Sequence, residues 1–250
     1  MSITSLLKQT LFSRRSGAVT PPEAMQQPSV ISSAAPTKND LSNPDTKKKV
    51  LNVGGNSKAI AIPDHYDDWT HHLLDIDPKG APDIVCDSRT LIDLPSAQYD
   101  SVYCSHNLEH YYSHDVVKVL TGFHHILKDD GFVDIRVPDM QAVIKHMVAN
   151  DMDIDDVLYT TGQGIPIAIK DVMYGWGAQI ESSGVEFFAH KTGFSEKSLT
   201  AVLTKCGFPK VYVLLENFEI KVFGFKHQPS QAQLKKLDLL LPEIDPTNAK

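Results

Sequence analysis

Past residue 48 the chain alternates short apolar runs with polar or breaker-rich stretches, and the period of each run predicts an element. Lys49–Val53 reads as a short buried strand halted by Gly54-Gly55. Residues 73–76, 83–86 and 100–105 read as three more strands, the last entered from the turn-like Pro95-Ser96-Ala97-Gln98. Across 115–127 the period lengthens, and Val116, Val119, Leu120, Phe123 and Leu127 fall on one face of a helix. Lys128-Asp129-Asp130-Gly131 ends that helix, with Gly131 expected as a left-handed cap. Residues 132–137 form a fifth strand, stopped by Pro138.

Farther on, Ser195 caps a helix over 195–205, and Gly207 and Pro209 lead into an apolar run at 211–215. A short turn at Glu216-Asn217 returns the chain as 218–225, so these last two strands are antiparallel neighbours. Seven strands alternating with helices or loops predict an α/β fold. Its form is a doubly wound, mainly parallel seven-stranded sheet that ends in an antiparallel hairpin. Pro63 and other breakers between Gly55 and Leu73 predict a short first crossover.

Residues 48–227 thus make the folded domain. Residues 1–47 hold Pro21, Pro22, Pro28, Pro36 and Pro44 among small polar residues and read as a disordered arm. Within it Ile3, Leu6, Leu7, Leu11 and Phe12 share a helical face beside Lys8, Arg14 and Arg15, with no acid before Glu23. That pattern suits a transit peptide, a surface-binding helix or a frayed tail. Residues 150–190 are long for a connection and carry Gly162, Gly164, Gly175, Gly177 and Gly184, which predicts an inserted lid. Residues 228–250 read as a helix and tail.

Charge and cysteine content narrow the partners. The 250 residues carry 31 acidic and 24 basic side chains, and a net charge of −7 does not favour nucleic acid. No apolar run reaches the ~20 residues a membrane span needs. Cys86, Cys104 and Cys206 are too widely spaced for a disulfide framework or a CxxC metal site, and reduced thiols suit a cytoplasmic protein.

In open α/β sheets ligands sit beyond the carboxyl ends of the strands. The first end supplies Gly54, Gly55 and Asn56, where a missing Cβ lets a ligand reach the backbone. The second supplies Asp75 and Ile76, about twenty residues on, an acid placed to accept from a ribose diol. The third supplies Asp87 and Ser88. After the fourth come Ser105, His106, Glu109 and His110.

In order and spacing these pieces resemble the class I S-adenosylmethionine (SAM)-dependent methyltransferases, notably the branch whose first motif reads Leu-Asn-x-Gly, methyltransferase type 11-like. The resemblance runs from about Val50 to Phe225 and includes Leu74-Asp75-Ile76-Asp77, Ile84-Val85-Cys86-Asp87, Ser105-His106-Asn107-Leu108-Glu109-His110 and Thr192-Gly193-Phe194. It implies a Rossmann-like methyltransferase fold and SAM as cofactor. Gly54 and Gly55 would lie along the methionine, Asp75 at the ribose, Asp87 and Ser88 at the adenine, and Ser105 and His106 at the sulfonium. Asn52 and Asn56 depart from the acid and glycine common in relatives.

Methyl transfer from a sulfonium asks chiefly for alignment, and a base only where the acceptor must lose a proton. His106, Glu109 and His110, at i, i+3 and i+4, share a face if the turn is helical. They suit a general base, a metal site or simple hydrogen bonds that pin the loop. Quinone-biosynthesis O-methyltransferases carry a related Glu-x-x-Glu-His here with a divalent ion implied, but His106 replaces its first acid. The expectation is catalysis by these three residues without a metal. Tyr174, Trp176, Phe187, Phe188 and His190 either wall an acceptor pocket or complete the core.

The predicted activity is methyl transfer from SAM to oxygen or nitrogen of a small-molecule or glycan-like acceptor. A non-catalytic SAM-fold scaffold is the alternative. A nicotinamide-dependent oxidoreductase is disfavoured by the missing third glycine of the dinucleotide fingerprint.

Overall fold

The structure, a computed structural model, describes residues 47–240. The N-terminal arm with its targeting readings, and the end of the tail, lie outside the described residues. The strands are β1 (Lys49–Val53), β2 (Thr70–Asp75), β3 (Ile84–Val85), β4 (Tyr99–Ser105), β5 (Leu127–Pro138), β6 (Val157–Thr160), β7 (Pro166–Ala168), β8 (Lys210–Glu216) and β9 (Glu219–Phe225). Seven of them form one sheet in the order β3-β2-β1-β4-β5-β9-β8, while β6 and β7 pair separately. Neighbours from β3 through β5 are parallel, and β9 runs antiparallel to both β5 and β8. The doubly wound, mainly parallel sheet finished by a hairpin is therefore as the pattern predicts. The hairpin folds back so that β9 enters between β5 and β8.

Alternation along β1 explains the two covered faces. Leu51 and Val53 point into one core with Val102, Cys104, Val133 and Ile135, and Val50 points into the other with Tyr103, Phe132 and Phe223. The first face is closed by α1 (Ser113–Ile126), whose Val116, Val119, Leu120, Phe123 and Ile126 are buried, and by Leu199 and Leu203 of the helix at Glu196–Lys205. Burying each such side chain contributes about 1.5–3 kcal/mol. Tyr66, Leu234 and Leu237 close the second face. The first crossover is short, as Pro63 foretells: it holds one 3-10 turn, Asp64–Tyr66.

Two local expectations are corrected. Gly131 is no left-handed cap, because α1 ends at Leu127 with an extended backbone and runs straight into β5. The last helical carbonyls find other donors, since Ala97 and Gln98 N–H groups reach His125 and Ile126 oxygens at 3.1 and 2.8 Å. The hairpin turn sits one residue later than read, with Asn217 and Phe218 both at positive φ (44° and 66°). Phe218 tolerates this because its carbonyl accepts the Asp139 N–H at 2.7 Å and its ring packs on His146 of α2 (Met140–Ala149). The helix α2 has no counterpart among the elements the sequence pattern predicts.

The 150–190 segment carries short elements of its own. It holds β6, β7, α3 (Ile169–Tyr174) and α4 (Gly177–Ser183), with an apolar cluster of Leu158, Ile167, Ile169 and Val172 seated on Val143 of α2. The chain continues through α5 (Glu196–Lys205), capped by Ser195 as expected, and ends in α6 (Gln231–Lys236). The three cysteines are free. Among the described residues no helix is long and apolar enough to cross a membrane.

Candidate functional site

Strand order reverses between β1 and β4, so their diverging ends open a crevice at the carboxyl edge of the sheet. A cleft of about 850 Å³, counting its open mouth, lies there and takes wall residues from four successive strand ends. Gly54 follows β1 with φ 71°, and a Cβ at that point would stand 2.1 Å from the Asn107 Nδ2. Both the backbone angle and the close approach require glycine.

Asp75 closes β2. Its two carboxylate oxygens accept the Asn56 and Asp77 backbone N–H groups, each at 2.9 Å, so the side chain is held facing the cleft. Asp87 follows β3 and lies against Arg89, whose Nε donates to Oδ2 at 2.9 Å and whose backbone N–H donates to Oδ1. That hydrogen-bonded guanidinium holds the Asp87 carboxyl below its usual range. Arg89 also reaches Asp115 at 3.4 Å, tying the start of α1 to the third strand end.

Of the residues predicted from sequence, Gly54, Asn56, Asp75, Ile76, Asp87, His106 and His110 line one cleft. Gly55, Ser88, Ser105 and Glu109 do not line it. Gly55 passes so close to Asn52 that a Cβ would lie 2.2 Å from its side chain. Ser88 is buried with its hydroxyl toward that of Tyr111, and Ser105 lies toward that of Tyr103. Sequence reading missed Asp77, Arg89, Asn107, Tyr111, Tyr112, Asp115 and Lys191 as wall residues. Of the five aromatics read as either pocket wall or core, Phe187 and Phe188 line the cleft, whereas Tyr174, Trp176 and His190 do not.

The turn after β4 is unusual in its charges. His106 sits at φ 49°, its N–H bonded to the Arg136 carbonyl. Its Nε2 donates to Glu219 at 2.7 Å, and its Nδ1 stands 3.5 Å from Glu109. Burial alone would lower its pKa, but the two carboxylates outweigh that and raise it to about 10. Glu109 is 1 % exposed, and burial opposes its charge; the imidazoles of His106, His190 and His110 prevail and bring it down to about 2. The turn therefore holds a charged His106 between two carboxylates, and that imidazole has no free lone pair at neutral pH.

His110 differs. Its Nδ1 donates to the Ala189 carbonyl at 3.1 Å, which leaves Nε2 as the basic nitrogen. His190, on the segment returning from α4, is anchored likewise by Nδ1 to the Val172 carbonyl at 2.9 Å, and burial lowers its pKa. The two rings meet edge to face at 4.9 Å. Backbone bonds from Lys191 and Thr192 to the Glu109 carbonyl fasten the returning segment to the turn.

No protein-family model matches the chain, and no curated protein does. Solved structures with a similar arrangement include a SAM-dependent methyltransferase from Archaeoglobus fulgidus, 13% identical, over 72% of this chain and 86% of that one, at a TM-score of 0.45. A protein from Pyrococcus horikoshii OT3 is 12% identical over 72% and 82% of the two chains, TM-score 0.49. A third is the Burkholderia thailandensis 1,6-didemethyltoxoflavin-N1-methyltransferase with bound S-adenosylhomocysteine, 14% identical over 73% and 72%, TM-score 0.41.

Proposed function

We propose that the protein is a SAM-dependent methyltransferase acting at oxygen or nitrogen of a small-molecule or glycan-like acceptor. The observation that carries this reading is that Gly54, Asp75 and Asp87, from three separate strand ends, line one cleft at the switch point of the sheet.

The residues present suit the cofactor. Asn107 Oδ1 is buried without a hydrogen-bond partner beside Gly54, an acceptor for the ammonium of a methionine moiety. Each Asp75 oxygen already accepts one N–H and retains capacity for a ribose hydroxyl. Asp87 and Ile76 would flank the adenine. When bound, SAM supplies a methyl group already activated on a sulfonium.

What the chain must add is orientation and exclusion of water, which together can lower a barrier by about 7–11 kcal/mol for well-aligned partners. Asp75, Asp77, Asp87 and Asp115 on the wall favour a cationic donor. Phe187 and Phe188 cover the cleft from the inserted segment and Tyr111 and Tyr112 from the turn, an apolar setting for the acceptor. His106, with its proton held by Glu219, acts as a fixed positive group that orients Glu109 rather than as a base.

The test is direct. The full chain incubated with methyl-labelled SAM and a small-molecule extract should place label on a metabolite as an O- or N-linked methyl, and Asp75→Asn should reduce transfer at least tenfold. Absence of transfer to any component, from protein that is folded, would overturn the reading.

A further inference from the structure

Glu109 poses a specific problem. Both of its carboxylate oxygens are buried with no hydrogen-bond partner, although the residue is only 1 % exposed. A carboxylate buried beside charged or polar neighbours but without hydrogen bonds keeps lone pairs on both oxygens for a ligand. His106 does not complete it, because its strong bond goes to Glu219 and its Nδ1 stays 3.5 Å away.

We propose that Glu109, His110 and His190 form a binding site for a divalent transition-metal ion. One ligand atom from each lies within 4.8 Å of the other two, and the His190 Nε2 is 3.9 Å from Glu109 Oε1. A small inward rotation brings such a trio onto one ion. Both histidines already carry the outer contact that metal-binding imidazoles use: Nδ1–H donates to a backbone carbonyl, Ala189 for His110 and Val172 for His190, which presents Nε2 as the free lone pair. Two imidazoles and one carboxylate suit Zn²⁺, Fe²⁺ or Co²⁺ better than Mg²⁺ or Ca²⁺, which prefer all-oxygen shells.

The ligand set differs from what the His-x-x-Glu-His spacing suggests. His106 is excluded by Glu219, and its place is taken by His190, contributed by the inserted segment. The ion would therefore fasten that segment to the turn after β4, reinforcing the Lys191 and Thr192 bonds to the Glu109 carbonyl. Three protein ligands leave further coordination positions free, and His110 is the ligand that lines the cleft.

The site is tested without SAM. Full-length protein, stripped with chelator and titrated with Co²⁺, should bind one ion per chain and develop a visible ligand-field absorption, with Zn²⁺ displacing it in calorimetry. His190→Ala and Glu109→Gln should each weaken Co²⁺ binding at least about 100-fold, whereas His106→Gln should leave it within about threefold. If Glu109→Gln fails to fold by circular dichroism, His110→Gln serves in its place with the same expectation. No stoichiometric binding, binding retained in His190→Ala, or binding lost in His106→Gln while His190→Ala keeps it would each overturn the proposal. S-adenosylhomocysteine binding by the stripped protein reads the cofactor site separately, so failure of one leaves the other judged on its own.

Discussion

Glu109 and Asp134 are buried alike, at 1 % and 0 % exposure, and neither has a hydrogen-bond partner for either carboxylate oxygen. Each faces basic side chains just beyond bonding distance: His106 and His190 at 3.5 and 3.9 Å for Glu109, His65 and Arg136 at 3.4 and 3.7 Å for Asp134. Their places differ. Asp134 lies inside β5, in register with Tyr103 and Phe223, beneath the aromatic cluster around Tyr66. Glu109 lies past the end of β4, against the cleft and the inserted segment.

Their partners differ too. Asp134 faces the Arg136 guanidinium, which keeps its charge and offers no lone pair, and a single imidazole, His65. Beside Glu109 stand two imidazoles, His110 and His190, whose Nδ1–H groups are spent on backbone carbonyls, which leaves the Nε2 of each for something else to bind. Burial and missing bonds do not by themselves separate a structural ion pair from a site; the chemistry of the partners does.

The sharpest way to break this contrast is by charge removal in the sheet. Asp134→Asn should strand the Arg136 guanidinium and cost about 3–5 kcal/mol in denaturant unfolding. Cofactor affinity in the folded protein should stay unchanged. A loss of cofactor affinity larger than the loss of stability would put Asp134 in the site.

Glu109→Gln should do the reverse. His106 keeps Glu219 as a partner and His190 is neutral, so no charge is stranded and the stability loss should be near 1–2 kcal/mol. Methyl transfer should fall about 100-fold. Comparable stability losses in the two variants would erase the distinction.

A smaller effect is expected at Gly54→Ala. Alanine at φ 71° costs about 1 kcal/mol, and its Cβ must displace Asn107. Thermal stability should drop slightly while S-adenosylhomocysteine affinity falls about tenfold; unchanged affinity would remove Gly54 and Asn107 from the cofactor wall.

The mildest test is pH. His106, raised from 6.5 to about 10 in the fold, contributes stability that is complete below about pH 6.5 and lost as pH rises through 10. Glu109, lowered from 4.5 to about 2, contributes stability that is complete above 4.5 and lost as pH falls through 2. Stability should therefore plateau between these limits and decline on the alkaline side, and Glu219→Gln should flatten that decline. An alkaline slope identical in Glu219→Gln would show that His106 is not the titrating group.

What the sequence disclosed follows from the range of the forces involved. β1 was legible to the residue because a buried parallel strand must be a short apolar run and two glycines end it. Asp75 was legible because strand ends converge by topology, and topology follows from the alternation of elements. Gly131 misled because the carbonyls at the end of α1 are satisfied by the distant-looking Ala97 and Gln98, a tertiary solution that no local cap pattern encodes. The elements inside the inserted segment leave no clear sequence period, since β6, β7, α3 and α4 are each only a few residues long and cohere through Val143 of another helix.

Arg89 left a signal that went unread: two residues past Asp87, an arginine in the same tight turn is within reach of its carboxylate. His190 left none, because its meeting with Glu109 exists only once the segment has folded back.

Calorimetry of the full chain with S-adenosylhomocysteine tests the cofactor cleft most directly. One site per chain is expected, weakened about 10- to 100-fold in Asp75→Asn, whose amide retains one backbone contact while losing the charge and half the acceptor capacity. Folded protein that binds no S-adenosylhomocysteine, or an Asp75→Asn variant that binds it unchanged, would contradict a cofactor cleft at the ends of β1, β2 and β3.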